Sequence, residues 1–295
     1  MPAGNPRVAV VLHVLEGLFW SEVVKKSIEA ALEPYPNVRL EFEDPHGDAA
    51  EQVRILDRLL RERIDALILL PIDPQKTRTA LQRYREASIP VIVIDNDIGA
   101  PELYRSIILC DNRRIGREAG QFFLEAMGSE GDLVEIRGLV ETPAAVERSA
   151  GFREALAGHS RMRVVDECTA NWRYEAAVRE FGQVLARQSR IDGVFAQNDD
   201  MARGALDAAA AAGREAEMLV VGVDALPNSI RLVAEGRQAA TFLNPSPGKD
   251  AVYALLAVLE GEACLPRTLL RTWPYRSNAR IRAWQRLRRP DPSTP

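Results

Sequence analysis

The chain has 295 residues, 46% hydrophobic and 27% charged, an ordinary globular balance that excludes a disordered or fibrous class and leaves room for two domains, each with its own core. The net charge of -4 excludes a general nucleic-acid-binding surface. The longest apolar runs, Ala66 to Leu70 and Ala205 to Ala212, fall well short of the ~18 to 20 residues that span a bilayer.

Met1 to Pro6 lead straight into an apolar run with no basic region, apolar core or cleavage site ahead of it. The chain is therefore expected either to work in the cytoplasm or to be a mature form, periplasmic or otherwise extracytoplasmic, whose leader has been removed. Strands are predicted at Arg7 to Val14, Val38 to Phe42, Ala66 to Leu70 and Val91 to Ile94, separated by helices at Glu22 to Leu32, after the capping residue Asp48, and at about Thr77 to Ala87. The pattern then restarts. Strands are predicted at Ser106 to Leu109, Leu133 to Ile136, Arg163 to Glu167, Gly193 to Ala196 and Leu219 to Val223, with helices at Ile115 to Met127, Thr142 to Ala157, Tyr174 to Arg187, Met201 to Ala212 and Pro227 to Glu235. Ala239 to Leu243 and Thr268 to Trp273 read as late strands, with a helix at Asp250 to Leu259 between them. Apolar strands alternating with helices point to an α/β class with two similar doubly wound parallel-sheet lobes. The Arg-rich segment from Arg276 to Arg289 reads as a terminal helix with a solvated Arg face, the alternatives being an oligomer contact or the stump of a fusion.

In open parallel sheets, ligands bind beyond the carboxyl ends of the strands. The residues standing there are Phe19 and Trp20, Asp73, Asp95 and Asn96, then Asp111 and Asn112, Arg148, Trp172, Asn198 within Gln197 to Asp200, Asp224 and Asn244. Carboxylates and amides pair with hydroxyls, Arg donates in a planar fork, and aromatic rings cover CH faces, a combination that suits a small polyhydroxylated molecule. For Asp111, Asp199 and Asp200 the plainer reading is helix capping. No Gly-rich phosphate loop, no zinc-ligand spacing among His13, His46 and His159, and no nucleophile elbow is present, so no cofactor, metal or catalytic residue is assigned. The three cysteines, Cys110, Cys168 and Cys264, read as small apolar fillers.

Ile89 to Asp95, Thr142 to Phe152, Val194 to Ala208 and Val220 to Pro227 resemble, in the same order, segments of the ribose-binding-protein group of periplasmic sugar-binding proteins. The resemblance implies ligand capture between two lobes joined by three crossovers near Tyr104, Leu243 and Thr268, without enzymatic turnover. It implies lobes of 1–104 plus 243–268 and of 105–242 plus 269–285, followed by a tail at 286–295. It likens Phe19, Trp20 and Trp172 to the aromatic ligand contacts, and Asp95, Arg148, Asn198, Asp224 and Asn244 to the polar ones. Gly17 stands where the ribose binders have Asn, Pro71 where they have another, and Asn96 where an Arg commonly follows the Asp, departures that point away from ribose. The expected partners are a small sugar or polyol and the membrane permease of an ABC importer or a membrane sensor, for a monomeric protein. The alternative is a sugar-sensing effector domain of a signalling or transcription-regulatory system; the lac-repressor-like form of that domain carries a DNA-binding module ahead of its first strand, and six residues precede Arg7 here.

Overall fold

The computed structural model describes residues 4–15 and 19–288, and at Phe19 the backbone alone. The chain divides into two compact units, unit 1 being Met1–Cys110 with Pro245–Arg271 and unit 2 being Asp111–Asn244 with Thr272–Pro295. It therefore passes from one unit to the other three times.

Unit 1 alternates β1 (Arg7–Val11), α1 (Phe19–Leu32), β2 (Arg39–Glu43), α2 (Ala49–Arg61), β3 (Ala66–Leu69), α3 (Pro74–Glu86), β4 (Val91–Ile94) and β5 (Ser106–Cys110). Its late segment adds a helix at Gly248–Leu259, α9 in chain order, and a strand at Arg267–Leu270, β11. The sheet order is β11-β5-β4-β3-β1-β2, with every pairing parallel. Every residue of β3 and β4 is buried, as expected of strands covered by helices on both faces.

Unit 2 holds α4 (Asn112–Met127), β6 (Gly131–Arg137), α5 (Pro143–Leu156), β7 (Met162–Thr169), α6 (Tyr174–Arg187), β8 (Gly193–Ala196), α7 (Asp199–Ala211), β9 (Leu219–Asp224), α8 (Pro227–Ala234) and β10 (Ala240–Leu243). It ends with β12 (Pro274–Arg276) and α10 (Asn278–Arg288). The sheet order is β12-β10-β9-β8-β6-β7, parallel except for the antiparallel edge strand β12.

Three expectations need correction. Ser106 to Leu109 does not open the second lobe: β5 pairs with β4 and β11, so unit 1 runs to Cys110 rather than to 104. Thr268 to Trp273 is not one strand, because β11 joins the sheet of unit 1 while β12 joins that of unit 2. A parallel strand buried on both faces is apolar throughout, so its composition does not name its sheet. The third correction is the Arg face of α10, which is docked in part rather than solvated. Arg280 donates to the carbonyls of Glu215 and Met218, the Trp284 indole N–H to that of Glu217, and Arg288 pairs with Asp192 at 2.7 Å. Arg282 and Arg286 are exposed.

Candidate functional site

In unit 2, the residues beyond the sheet's carboxyl edge form a connected set. Helices α4 and α5 touch backbone to backbone: a Cβ on Gly116 would lie 2.0 Å from the Arg148 carbonyl oxygen, and one on Gly151 would lie 1.9 Å from that of Arg113. Only glycine permits that approach, which brings Arg148 to the first turn of α4. There its Nε donates to Asn112 Oδ1 at 2.9 Å, and its Nη1 donates to the Gln197 carbonyl. The guanidinium lies 5.7 Å from the centre of the Trp172 ring. Arg148 is 3% exposed, yet among the described residues no carboxylate pairs with it.

Trp172 follows β7 on an unusual backbone, with φ of 50° at Asn171 and 67° at Trp172, a left-handed pair that side chains rarely adopt. Two features hold it. Its carbonyl accepts from Asn198 Nδ2 at 3.0 Å, and its indole lies over Gly138 at the end of β6, where a Cβ would come within 2.2 Å of the ring. A second left-handed pair closes β9, with φ of 113° at its last residue, Asp224, and 55° at Ala225. Asp224 Oδ1 accepts from Asn244 Nδ2 at 3.2 Å, across the β9–β10 pairing in which Leu243 stands opposite Asp224. Asn244 Oδ1 is buried with no hydrogen-bond partner among the described residues.

Beneath these lies Gln197, fully buried. Its Oε1 accepts from the Gly138 amide at 3.0 Å, and its Nε2 donates to Glu135 Oε1 at 2.8 Å and to the Ala145 carbonyl at 3.1 Å. Glu135, also fully buried, accepts in addition from Ser149 and Arg153. Asn198 Oδ1 caps α7 by accepting from the Met201 amide at 2.8 Å, so both ends of that side chain are engaged in structure. Asn112 and Gln197 stood among the strand-end residues of the sequence without a ligand role, while Glu135 and Gly138 were not picked out there. The traces they left there are an acidic residue inside an apolar strand and an amide directly after one.

The strand ends of unit 1 are plainer. Trp20 is half-buried against the core formed by β1, α1 and α9, with its indole N–H unpartnered among the described residues. Asp73 caps α3, accepting from the Gln75 and Lys76 amides at 2.9 and 3.1 Å. Asp95 turns the chain beyond β4 with φ of 65°, its amide donating to the Ile108 carbonyl at 2.9 Å. Asn96 is buried, donating to the Pro71 carbonyl at 2.8 Å, and its Oδ1 has no partner. Gly17 and the Phe19 side chain lie outside the described residues.

Among the described residues, no group of three or more His, Cys, Asp or Glu is placed to hold a metal ion, and no helix is long and apolar enough to cross a membrane. The set brings together a buried guanidinium, a carboxyl, amides and an indole, held by hydrogen bonds from the residues beneath them.

Curated relatives include the ribose import binding protein of Salmonella typhimurium, 31% identical over 221 residues, 74% of each chain. Among solved structures, the fructose-binding periplasmic domain of a hybrid two-component system superposes with a TM-score of 0.86 at 28% identity, covering 96% of this chain and 95% of that one. An ABC transporter solute-binding protein from Bacillus halodurans C-125, solved with bound myo-inositol, gives a TM-score of 0.88 at 20% identity over 96% and 98% of the two chains, a likeness of fold. Residues 8–263 match the family described as the periplasmic binding protein domain, to which this chain belongs.

Proposed function

We propose that the chain is a solute-binding protein that captures a small polyhydroxylated ligand, a monosaccharide, sugar alcohol or cyclitol, for an ABC-type importer outside the cytoplasm, and that it leaves the ligand chemically unchanged. One observation carries this reading: the Arg148 guanidinium is buried against two neutral oxygens and an indole face, with no carboxylate paired to it among the described residues. A buried charge is costly unless hydrogen bonds satisfy it, so the site is incomplete without a polar guest. Asp224 on the same sheet edge supplies the opposite charge, which favours a neutral ligand offering both donors and acceptors. The unpartnered Asn244 Oδ1 provides a further acceptor, and Trp172 an apolar platform for CH groups.

In this reading, Arg148, Trp172, Asp224, Asn244 and Asn112 of unit 2 touch the ligand. Trp20, Asp95 and Asn96 are the contacts offered by unit 1. Asp73 and Asn198 act through helix capping and through the Trp172 carbonyl. Calorimetric titration with ribose, fructose, xylitol and myo-inositol tests the reading, supported by thermal shift, since a ligand of the native state raises its apparent stability. At least one is expected to bind at micromolar or better, with ribose weaker than the best polyol or cyclitol. No binding across the panel counts against the reading, and turnover of any member refutes the non-enzymatic part.

A sensing role is the second reading, favoured by the likeness to the periplasmic domain of a two-component system. Stimulation of a permease ATPase by the loaded protein in proteoliposomes selects transport over sensing. Light scattering checks the monomeric state.

A further inference from the structure

Asp199, the first residue of α7, is 1% exposed, and the ligand contacts above make no use of it. Its Oδ2 accepts from the Leu226 amide at 2.9 Å, and its Oδ1 accepts from the Thr241 hydroxyl at 2.7 Å and from Gln238 Nε2 at 3.3 Å. Thr241 Oγ1 in turn accepts from the Ala225 amide at 3.1 Å. Asp199 and Thr241 thus hold both amides that follow Asp224, in the turn whose left-handed backbone would not persist without outside support. A Cβ on Gly222 would lie 2.2 Å from Asp199 Oδ1, so the carboxyl occupies the place of a side chain on β9.

None of these partners is a cation. Strand β10 contributes Thr241, Gln238 precedes it, and the start of α8 offers a backbone amide. The titratable group facing Asp199 from β9 is Asp224, of the same sign. On its own helix, Asp200 and Arg203 pair with each other at 3.3 Å. From this placement we infer that Asp199 is a positioning residue of the ligand site that works as a neutral carboxylic acid, holding the Asp224 turn while adding no second negative charge beside it. Burial, reinforced by Asp224, pushes the Asp199 carboxyl up to about 8, which agrees with the placement.

The inference rests on the proposed binding function only for its consequence. Ionisation of Asp199 at alkaline pH sets two like charges together at the turn and weakens binding. The proton itself is read without ligand. In carbon-13 NMR of the ligand-free protein labelled at Asp carboxyls, the resonance lost in Asp199→Asn is expected to titrate near pH 8. Titration in the ordinary carboxylate range overturns the inference, whatever the sugars do. Thr241→Val removes a hydrogen bond that favours the charged form, so it is expected to move the midpoint further up; an unchanged or lower midpoint overturns the bracing role.

With the tightest of ribose, fructose, xylitol and myo-inositol as probe, wild-type affinity is expected to fall about tenfold between about pH 7 and 9.5, and that of Asp199→Asn to change less than about twofold. Equal profiles overturn the link to the ligand site. If none of the four sugars binds, the functional reading fails while the NMR titration still decides the state of Asp199.

Discussion

The two units share one sheet architecture but finish their strands differently. In unit 2, three successive residues each hold a different part of the edge: Gln197 the Gly138 amide, Asn198 the Trp172 carbonyl, and Asp199 the Leu226 amide. Two left-handed turns, at 171–172 and 224–225, are fixed in this way. Unit 1 has a left-handed residue beyond β4, Asp95, and a left-handed pair beyond β2, His46 and Gly47, whose amides donate to Asp44 Oδ1 and to the His13 carbonyl. Its polar side chains there satisfy local needs: Asp73 caps a helix, and Gln52 bridges the Leu70 carbonyl and the Ile72 amide. Unit 2 is preorganised, and preorganisation reduces the ordering cost of binding. Affinity is therefore expected to reside mainly in unit 2, with unit 1 adjusting selectivity.

Arg148→Ala should produce the largest loss. Removing one partner of a desolvated charged hydrogen-bond set costs about 2 to 5 kcal/mol, roughly 30- to 3000-fold in affinity. Calorimetry on a variant shown folded by circular dichroism measures it, and unchanged affinity removes Arg148 from the site. Gly138→Ala comes next, because its Cβ would sit 2.2 Å from the Trp172 ring and must displace it. Overpacking of this kind costs about 1 to 3 kcal/mol, so an affinity loss of roughly 5- to 150-fold with altered Trp emission is expected.

On the unit 1 side, Asn96→Ala leaves the Pro71 carbonyl without its donor and should weaken binding by about 1 kcal/mol, roughly fivefold. A greater loss than that of Arg148→Ala would reverse the comparison. Asp73→Ala should leave affinity alone and cost about 1 kcal/mol of stability as a lost helix cap, read by denaturant unfolding. A drop in affinity without a drop in stability would return Asp73 to the ligand.

The alternation of strands and helices was legible because fully buried strands and amphipathic helices have different periods, and every helix expected from the sequence appears in the structure. Some caps were legible as well: Asp48, Asp111 and Thr142 accept from amides of their helices. The capping expected of Asp199 and Asp200 falls instead to Asn198, with Asp199 turned to Leu226, Gln238 and Thr241 and Asp200 paired with Arg203. The partner of β5 was not legible, since Ile107 and Ile108 would be buried in either sheet. At the strand ends positions could be read from the sequence, but not engagements. Asn198 and Asn244 look alike on paper, yet in the structure both ends of the Asn198 amide are occupied while Asn244 keeps an oxygen unpartnered. That difference depends on where the Trp172 carbonyl turns, which is a property of a backbone conformation rather than of a residue type.

The triple passage of the chain has a consequence in time. Unit 1 lacks its edge strand β11 and the covering helix α9 until residues beyond Pro245 exist, although the rest of it is made by Cys110. At ~5 to 20 residues per second of synthesis, that wait is on the order of ten seconds or more. Throughout it, the backbone of β5 offers an unpaired edge, the kind of surface that recruits foreign strands. Unit 2 is completed later still, when β12 covers β10 and Trp284 seats on the Glu217 carbonyl. Both units thus depend on segments made after Pro245, and a nascent chain stalled within α9 would carry two open sheets at once.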